Sequence, residues 1–144
     1  MKWFFDSSVL VPALLPDHVH HARSFAVFAL ANPKNAGCAA HTLAEVYSTL
    51  TKYPGKERIS SEYAALLVQQ IEERLTLAWL DGDEYCAVIR RMATMGIVGG
   101  GVYDGLIAAC ASKAGTRHLY TWNARHFDML GPETQKIVTM PPLV

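Results

Sequence analysis

The chain has no excess of charge of either sign. Its 144 residues hold 13 Lys and Arg against 13 Asp and Glu, a formal net charge of zero. No global positive field draws it onto a polyanion, so a grip on nucleic acid has to come from a local basic patch or a bound cation. Cysteine is scarce: Cys38, Cys86 and Cys110 are an odd number, far apart, and form no CxxC pair. That argues against a disulfide framework and fits a reducing, cytoplasmic setting with all three thiols as small core residues. No apolar run approaches the roughly 18 residues of a membrane span. Lys2 precedes an apolar stretch, but Asp6, Ser7 and Ser8 interrupt it and Pro12 breaks the rest, so it is not read as a signal peptide. No repeat, low-complexity tract or linker divides residues 1–144, which read as a single domain. With 51% apolar and 18% charged residues, the composition is that of a globular protein and not of a disordered one.

Short apolar runs alternate with helical patterns. Lys2 to Phe5 reads as a buried strand, Val9 to Leu15 as a short helix ended by Pro16, and Val19 to Leu30 as a helix ended at Asn32-Pro33. Ala36 to Ala39 fits a second strand. His41 to Lys52 is helical by period, with Leu43, Val46, Tyr47 and Leu50 on one stripe and a stop at Tyr53-Pro54-Gly55. Ser60 or Ser61 caps a helix from Glu62 to Arg74, with Ala65, Leu66, Val68, Ile71 and Leu75 turned inward. Leu75 to Leu80 is the next strand. Asp83 caps a helix to about Met95 carrying Cys86, Val88, Ile89 and Met92, and the loop Gly96 to Gly101 follows. Val102 to Ala114 is helical, His118 to Thr121 a strand, Arg125 to Leu130 a short helix and Ile137 to Met140 a last strand. Strands alternating with helices predict an α/β fold with a mostly parallel sheet covered on both faces.

Four polar residues stand where these elements meet. Asp6 closes the first strand, Glu45 lies early in an otherwise apolar helix, Asp104 follows the run Gly99-Gly100-Gly101, and Asn123 follows the strand ending at Thr121. In a parallel sheet the carboxyl ends of the strands and the helices after them line one edge. Each residue also has a plainer reading. Asp6 and Asn123 suit helix N-caps, Asp104 suits a first turn facing the helix dipole, and Glu45, about 200° from Leu43 on the helical wheel, suits a solvated face. Small neighbours (Ala39, Ala40 and Ala44 near Glu45; Gly105, Ala108 and Ala109 after Asp104) favour close packing around a cleft. Three carboxylates and a carboxamide on one edge form an oxygen-rich pocket of the kind that suits Mg²⁺ or Mn²⁺.

The stretches Phe5-Asp6-Ser7-Ser8-Val9, Thr42-Leu43-Ala44-Glu45-Val46, Val102-Tyr103-Asp104-Gly105-Leu106 and Tyr120-Thr121-Trp122-Asn123-Ala124-Arg125 come in an order that resembles the PIN-domain ribonucleases, specifically the VapC-like toxins of toxin–antitoxin pairs. The resemblance runs from Trp3 to about Leu130. It implies a three-layer α/β/α fold with a short parallel sheet. It also implies Asp6, Glu45 and Asp104 as metal-binding acids, with Asp6 and Asp104 as the primary metal ligands. The family's fourth site position is often Asp; here it is Asn123, one negative charge fewer, and Asp128 is a possible outer substitute. Ser7, Ser8 and Thr121 match the family's hydroxyl supports for the carboxylates. The implied activity is a Mg²⁺- or Mn²⁺-dependent endoribonuclease that hydrolyses RNA with a metal-activated water. The implied partners are a cognate antitoxin and a second copy of the chain. The helical region Glu57 to Leu75 carries a second apolar surface and is the candidate for the dimer or antitoxin contact.

Basic residues near the later motifs, Arg90, Arg91, Arg117, Arg125 and His126, could hold phosphates or be ordinary surface charge. Trp122 could stack on a base or belong to the core. Other signals are weaker. His18, His20 and His21 lack a convincingly spaced further ligand and read as solvent-exposed turn histidines. No strand precedes Gly96 to Gly105, so it is not a dinucleotide fingerprint. Two rivals to the nuclease remain: a PIN-fold module that binds RNA without cutting it, and a metal-dependent DNA nuclease or phosphatase.

Overall fold

The computed structural model describes residues 1–53 and 59–144. Five short strands form one all-parallel sheet: β1 (Trp3–Phe5), β2 (Ala36–Ala39), β3 (Thr76–Ala78), β4 (His118–Tyr120) and β5 (Val138–Thr139). Their order is β3-β2-β1-β4-β5, so β1 lies at the centre between β2 and β4. Neighbouring side chains on the strands point to opposite faces, and the burial follows that rule. Phe5, Cys38 and Tyr120 pack into one apolar cluster, whereas Phe4, Ala39 and Leu119 pack into the other.

Helices cover both faces. Helices α1 (Ser7–Leu14), α2 (His21–Ala29), α3 (Ala40–Thr51) and α4 (Ser61–Arg74) supply the first cluster, through Val9, Leu10, Phe28, Val46, Leu50, Leu67 and Ile71. Helices α5 (Gly82–Thr94) and α6 (Gly101–Lys113) supply the second, through Met92, Ile107, Cys110 and Ala111. Phe127 of α7 (Ala124–Phe127) and Leu130 of the 3₁₀ turn Asp128–Leu130 close that layer. A further helix, α8 (Pro132–Ile137), leads into β5. This is the three-layer α/β/α arrangement that the alternation of elements predicts.

Several local expectations are corrected. In α4 the buried residues are Ala64, Leu67 and Ile71, while Ala65 and Leu66 face solvent. The stretch Tyr63 to Val68 is apolar throughout, so its period can be phased two ways. In α3 the buried stripe is Thr42, Val46 and Leu50, and Tyr47 points outward. Cys86 is exposed, because α5 buries only Met92; Ile89 is exposed as well. The cap of α5 is Asp81 rather than Asp83. Its carboxylate accepts from the Glu84 N–H at 2.8 Å and Glu84 accepts from the Asp81 N–H at 3.0 Å, a reciprocal capping box. Helix α2 starts at His21 and β3 is confined to Thr76–Ala78. The stop at Pro54-Gly55 and the start of the contact region at Glu57 lie outside the described residues.

Gly37 of β2 leaves no room for a side chain beside β3. A Cβ placed there would lie 2.6 Å from the Thr76 carbonyl oxygen, on backbone that cannot swing aside. Gly37→Ala is therefore expected to cost about 1–3 kcal/mol, read as a lower midpoint in urea unfolding. An unchanged midpoint would mean that β2 and β3 separate freely.

Candidate active site

Pairing of β1 with β4 sets Phe5 opposite Tyr120, and the Asp6 N–H donates to the Tyr120 carbonyl at 3.0 Å. Asp6 and Thr121 therefore leave the sheet side by side at its carboxyl edge. Asp6 occupies the N-cap position of α1, but its side chain caps nothing. Its Oδ2 accepts instead from Ser8 Oγ at 2.7 Å and from Thr121 Oγ1 at 2.8 Å. The same two hydroxyls accept from the main chain: the Trp122 N–H donates to Ser8 Oγ and the Asn123 N–H to Thr121 Oγ1, both at 2.9 Å. Asp6 is buried and Thr121 fully so, and the network fixes the carboxylate to the turn after β4.

Glu45 reaches the same edge from α3 and Asp104 from the first turn of α6. With Asp6, Ser7 and Asn123 they line a cleft of about 620 Å³. The Gly96–Gly101 loop forms one wall of the cleft, and Arg125 and His126 stand on its rim. Asn123 precedes α7 without a side-chain cap, as Asp6 does at α1. Gly101 permits the close turn into α6, since a Cβ there would lie 2.6 Å from Ile97.

The acids disturb each other. Burial, then the charges of Asp6 and Asp104, pushes the Glu45 carboxyl up to about 7. Burial, then Asp6, raises Asp104 to about 6, against the opposing pull of His126, whose Nδ1 lies 4.0 Å from Asp104 Oδ2. Glu45 Oε1 is shut off from solvent, and no hydrogen-bond partner for it lies among the described residues. His41 Nε2 at 3.9 Å is too far to serve. Among the described residues no three His, Cys, Asp or Glu side chains close on one ion-binding point. Mg²⁺ typically keeps several waters and takes one or two carboxylates, so a cleft of separated acids with an orphaned carboxylate oxygen fits such an ion.

Other residues singled out in the sequence fall elsewhere. Arg117 precedes β4, at the opposite end of the sheet from Asp6 and Asn123. Asp128 is exposed and does not line the cleft. The Trp122 ring faces α2: His20 stacks on it with centroids 4.0 Å apart, the Arg23 guanidinium lies 4.8 Å from the ring centre, and Nε1 donates to Ser24 Oγ at 2.8 Å. His18, His20 and His21 are half-buried rather than free turn residues. His21 Nδ1 lies 2.9 Å from the Pro12 carbonyl, and His18 Nδ1 accepts from the His20 N–H at 3.0 Å. Sequence reasoning missed His41 and Tyr103, which flank Glu45 and Asp104. The His41–Glu45 spacing of one helical turn is the signal that could have found the first.

A PIN-domain family model matches residues 3–129. The chain belongs to the PIN-domain family. Its relatives place it in the VapC group. It is 36% identical over 109 residues to Ribonuclease VapC27 of Mycobacterium tuberculosis, which covers 75% of each chain. Among solved structures, VapC20 of Mycobacterium tuberculosis, described as a toxin cleaving the sarcin-ricin loop, superposes with a TM-score of 0.70 at 14% identity, over 90% of this chain and 93% of that one. VapBC2 from Rickettsia felis, bound to a DNA fragment from its promoter, gives a TM-score of 0.65 at 19% identity over 97% and 98% of the two chains. The four polar residues that line the cleft, Asp6, Glu45, Asp104 and Asn123, all lie within the stretch that the PIN-domain model matches.

Two outcomes follow from this geometry. Thr121→Val removes a buried hydroxyl that serves both Asp6 and the Asn123 N–H, and is expected to cost about 1–3 kcal/mol in denaturant unfolding. The raised carboxyls set a pH dependence. Glu45 holds its proton more tightly folded than unfolded, so its stabilising share is full below pH 4.5 and is lost as pH rises through about 7. In cation-free buffer Glu45→Gln should stabilise the fold at pH 8 by about 1–2 kcal/mol after solvent screening, read as a higher melting temperature, and leave it unchanged at pH 4. A gain of equal size at both values would contradict the electrostatic origin.

Proposed function

We propose that this protein is a Mg²⁺- or Mn²⁺-dependent endoribonuclease acting as the toxin of a toxin–antitoxin pair. The observation that carries the reading is the convergence of Asp6, Glu45 and Asp104 on one cleft, with two of the three carboxyls pushed up towards neutral pH. The ribonuclease name of the relative at 36% identity supports RNA as the substrate class. Complexes of fold neighbours, such as VapBC2 of Rickettsia felis and the toxin–antitoxin complex from Klebsiella pneumoniae, support a protein antitoxin as partner. The exposed Tyr63 and Leu66 of α4 offer an apolar surface for that antitoxin or for a second copy of the chain. Among the described residues no helix is long and apolar enough to cross a membrane. The free thiols of Cys38, Cys86 and Cys110 support a reducing, cytoplasmic setting.

The chain's own residues divide the work. Asp6 and Asp104 are the acids that would hold the cation, Asp6 being already oriented by Ser8 and Thr121. A bound Mg²⁺ or Mn²⁺ would shield the phosphate oxygens and make water a better nucleophile. Hydrolysis forms a bond from the water oxygen to phosphorus and breaks the bond to one ribose oxygen. Glu45, whose buried Oε1 has no hydrogen-bond partner among the described residues, would take the proton that the attacking water gives up, and the released ribose oxygen would take one from solvent. Asn123 brings a neutral amide where a fourth acid would add charge, which favours one cation over two. Arg125 and His126, which line the cleft and are exposed, would meet the incoming phosphate chain.

Incubation with mixed structured RNAs tests the reading. Discrete cleavage should need Mg²⁺ or Mn²⁺, stop with chelator, and fall about a hundredfold or more in Asp104→Asn. The cation should also raise the melting temperature of the unmodified protein and not that of Asp6→Asn. Folded, antitoxin-free protein that cuts no RNA would favour an RNA-binding module. Cleavage that survives Asp104→Asn would remove Asp104 from the site.

A further inference from the structure

The acid cleft does not end at Glu45. His41, in the first turn of α3, stacks on Tyr103, in the first turn of α6, with centroids 5.2 Å apart and ring planes within 7° of parallel. The pair spans the two helices that carry Glu45 and Asp104. Both rings stay accessible: Tyr103 is 48% exposed and the His41 side chain 34%. Beyond the pair lies a second groove of about 360 Å³, lined by His41, Ala44, Glu45, Ser48, Thr49 and Tyr103. Glu45 and Tyr103 line both hollows, so the groove continues the cleft rather than standing apart from it. Positions 41, 45 and 48 share one face of α3. Ser48 and Thr49 are exposed along it.

Charge gives this groove a task. The protein is neutral overall, and its cleft sets three acids against Arg125 and His126. Phosphate attraction is therefore a weak source of affinity for a polyanion. Stacking on an aromatic plane does not depend on that balance, because every base has a π-face. We propose that the His41–Tyr103 pair and the adjoining groove form a nucleobase subsite, which seats an unpaired base of the RNA nucleotide beside the scissile phosphate. Tyr103 and His41 supply the stacking plane, while Ser48 and Thr49 supply hydrogen bonds to the base edge. The subsite presupposes the RNA-nuclease reading and adds a requirement for an unpaired base beside the cut. It makes His41 and Tyr103 substrate-positioning residues, distinct from the acids.

The test is a titration of the full chain with two fluorescein-labelled six-nucleotide probes followed by anisotropy. One is single-stranded mixed-sequence RNA, and the other has the same phosphates but abasic riboses. Ca²⁺ neutralises the acids, and a gel checks that recovered probe is intact. The base-bearing probe should bind about tenfold tighter or more. Tyr103→Ala and His41→Ala should each remove most of that preference, and Tyr103→Phe should keep it. In the cleavage assay with Mn²⁺, Tyr103→Ala should raise KM about tenfold with kcat within about twofold, the mark of lost ground-state binding. Equal binding of the two probes, or a preference that survives both alanine variants, overturns the subsite, as does failure of the protein to bind either probe. A chain that cuts no RNA, yet shows a base preference that Tyr103→Ala abolishes, would retain the subsite and fail only as a nuclease.

Discussion

The cleft depends on how Asp6 is held. A carboxylate at the end of a central buried strand would ordinarily swing to water or cap the helix that follows. Here one oxygen is fixed by two hydroxyls, Ser8 from the helix after β1 and Thr121 from the end of β4, and those hydroxyls are themselves oriented by the N–H groups of Trp122 and Asn123. Each hydroxyl donates once and accepts from the main chain, so the buried polar atoms satisfy one another. The arrangement joins the two strands whose carboxyl ends make the site. Parallel pairing of β1 and β4 is its precondition, since it brings residues 115 apart in sequence to hydrogen-bonding distance.

With Asp6 fixed, the other acids have little room to avoid it. Glu45 and Asp104 enter from helices on opposite faces of the sheet, α3 and α6. Their raised proton affinities reflect burial first and mutual repulsion second. A cation relieves both costs together, because it replaces lost hydration and cancels like charge. The absence of a fourth acid at Asn123 reduces the repulsion. The same absence leaves the cleft with less charge for holding a second ion.

The site positions were legible because each marks an abrupt change in local pattern: a polar residue where a strand stops, or an acid in a helix built of small residues. The five strands and most helices were legible for the same reason. Phase was harder. Ala65 and Leu66 were expected inside α4, but Ala64 and Leu67 are, because six apolar residues in a row carry no phase. Cys86 and Tyr47 turned out exposed where a stripe had been read through them. Contacts between distant segments left no local trace at all. Nothing near Trp122 indicates that His20 and Arg23 cover its ring, and nothing near Arg117 shows that it precedes β4 at the edge away from the acids.

The central claim is that three carboxyls share one cation-seeking cleft, and the most direct measurement is a carboxyl-carbon NMR titration of the cation-free protein, repeated with Mg²⁺. Glu45 should titrate near 7 and Asp104 near 6 without the ion. Both should move down when Mg²⁺ is added. Ordinary carboxyl values for Glu45 and Asp104 that do not respond to Mg²⁺ would contradict the account.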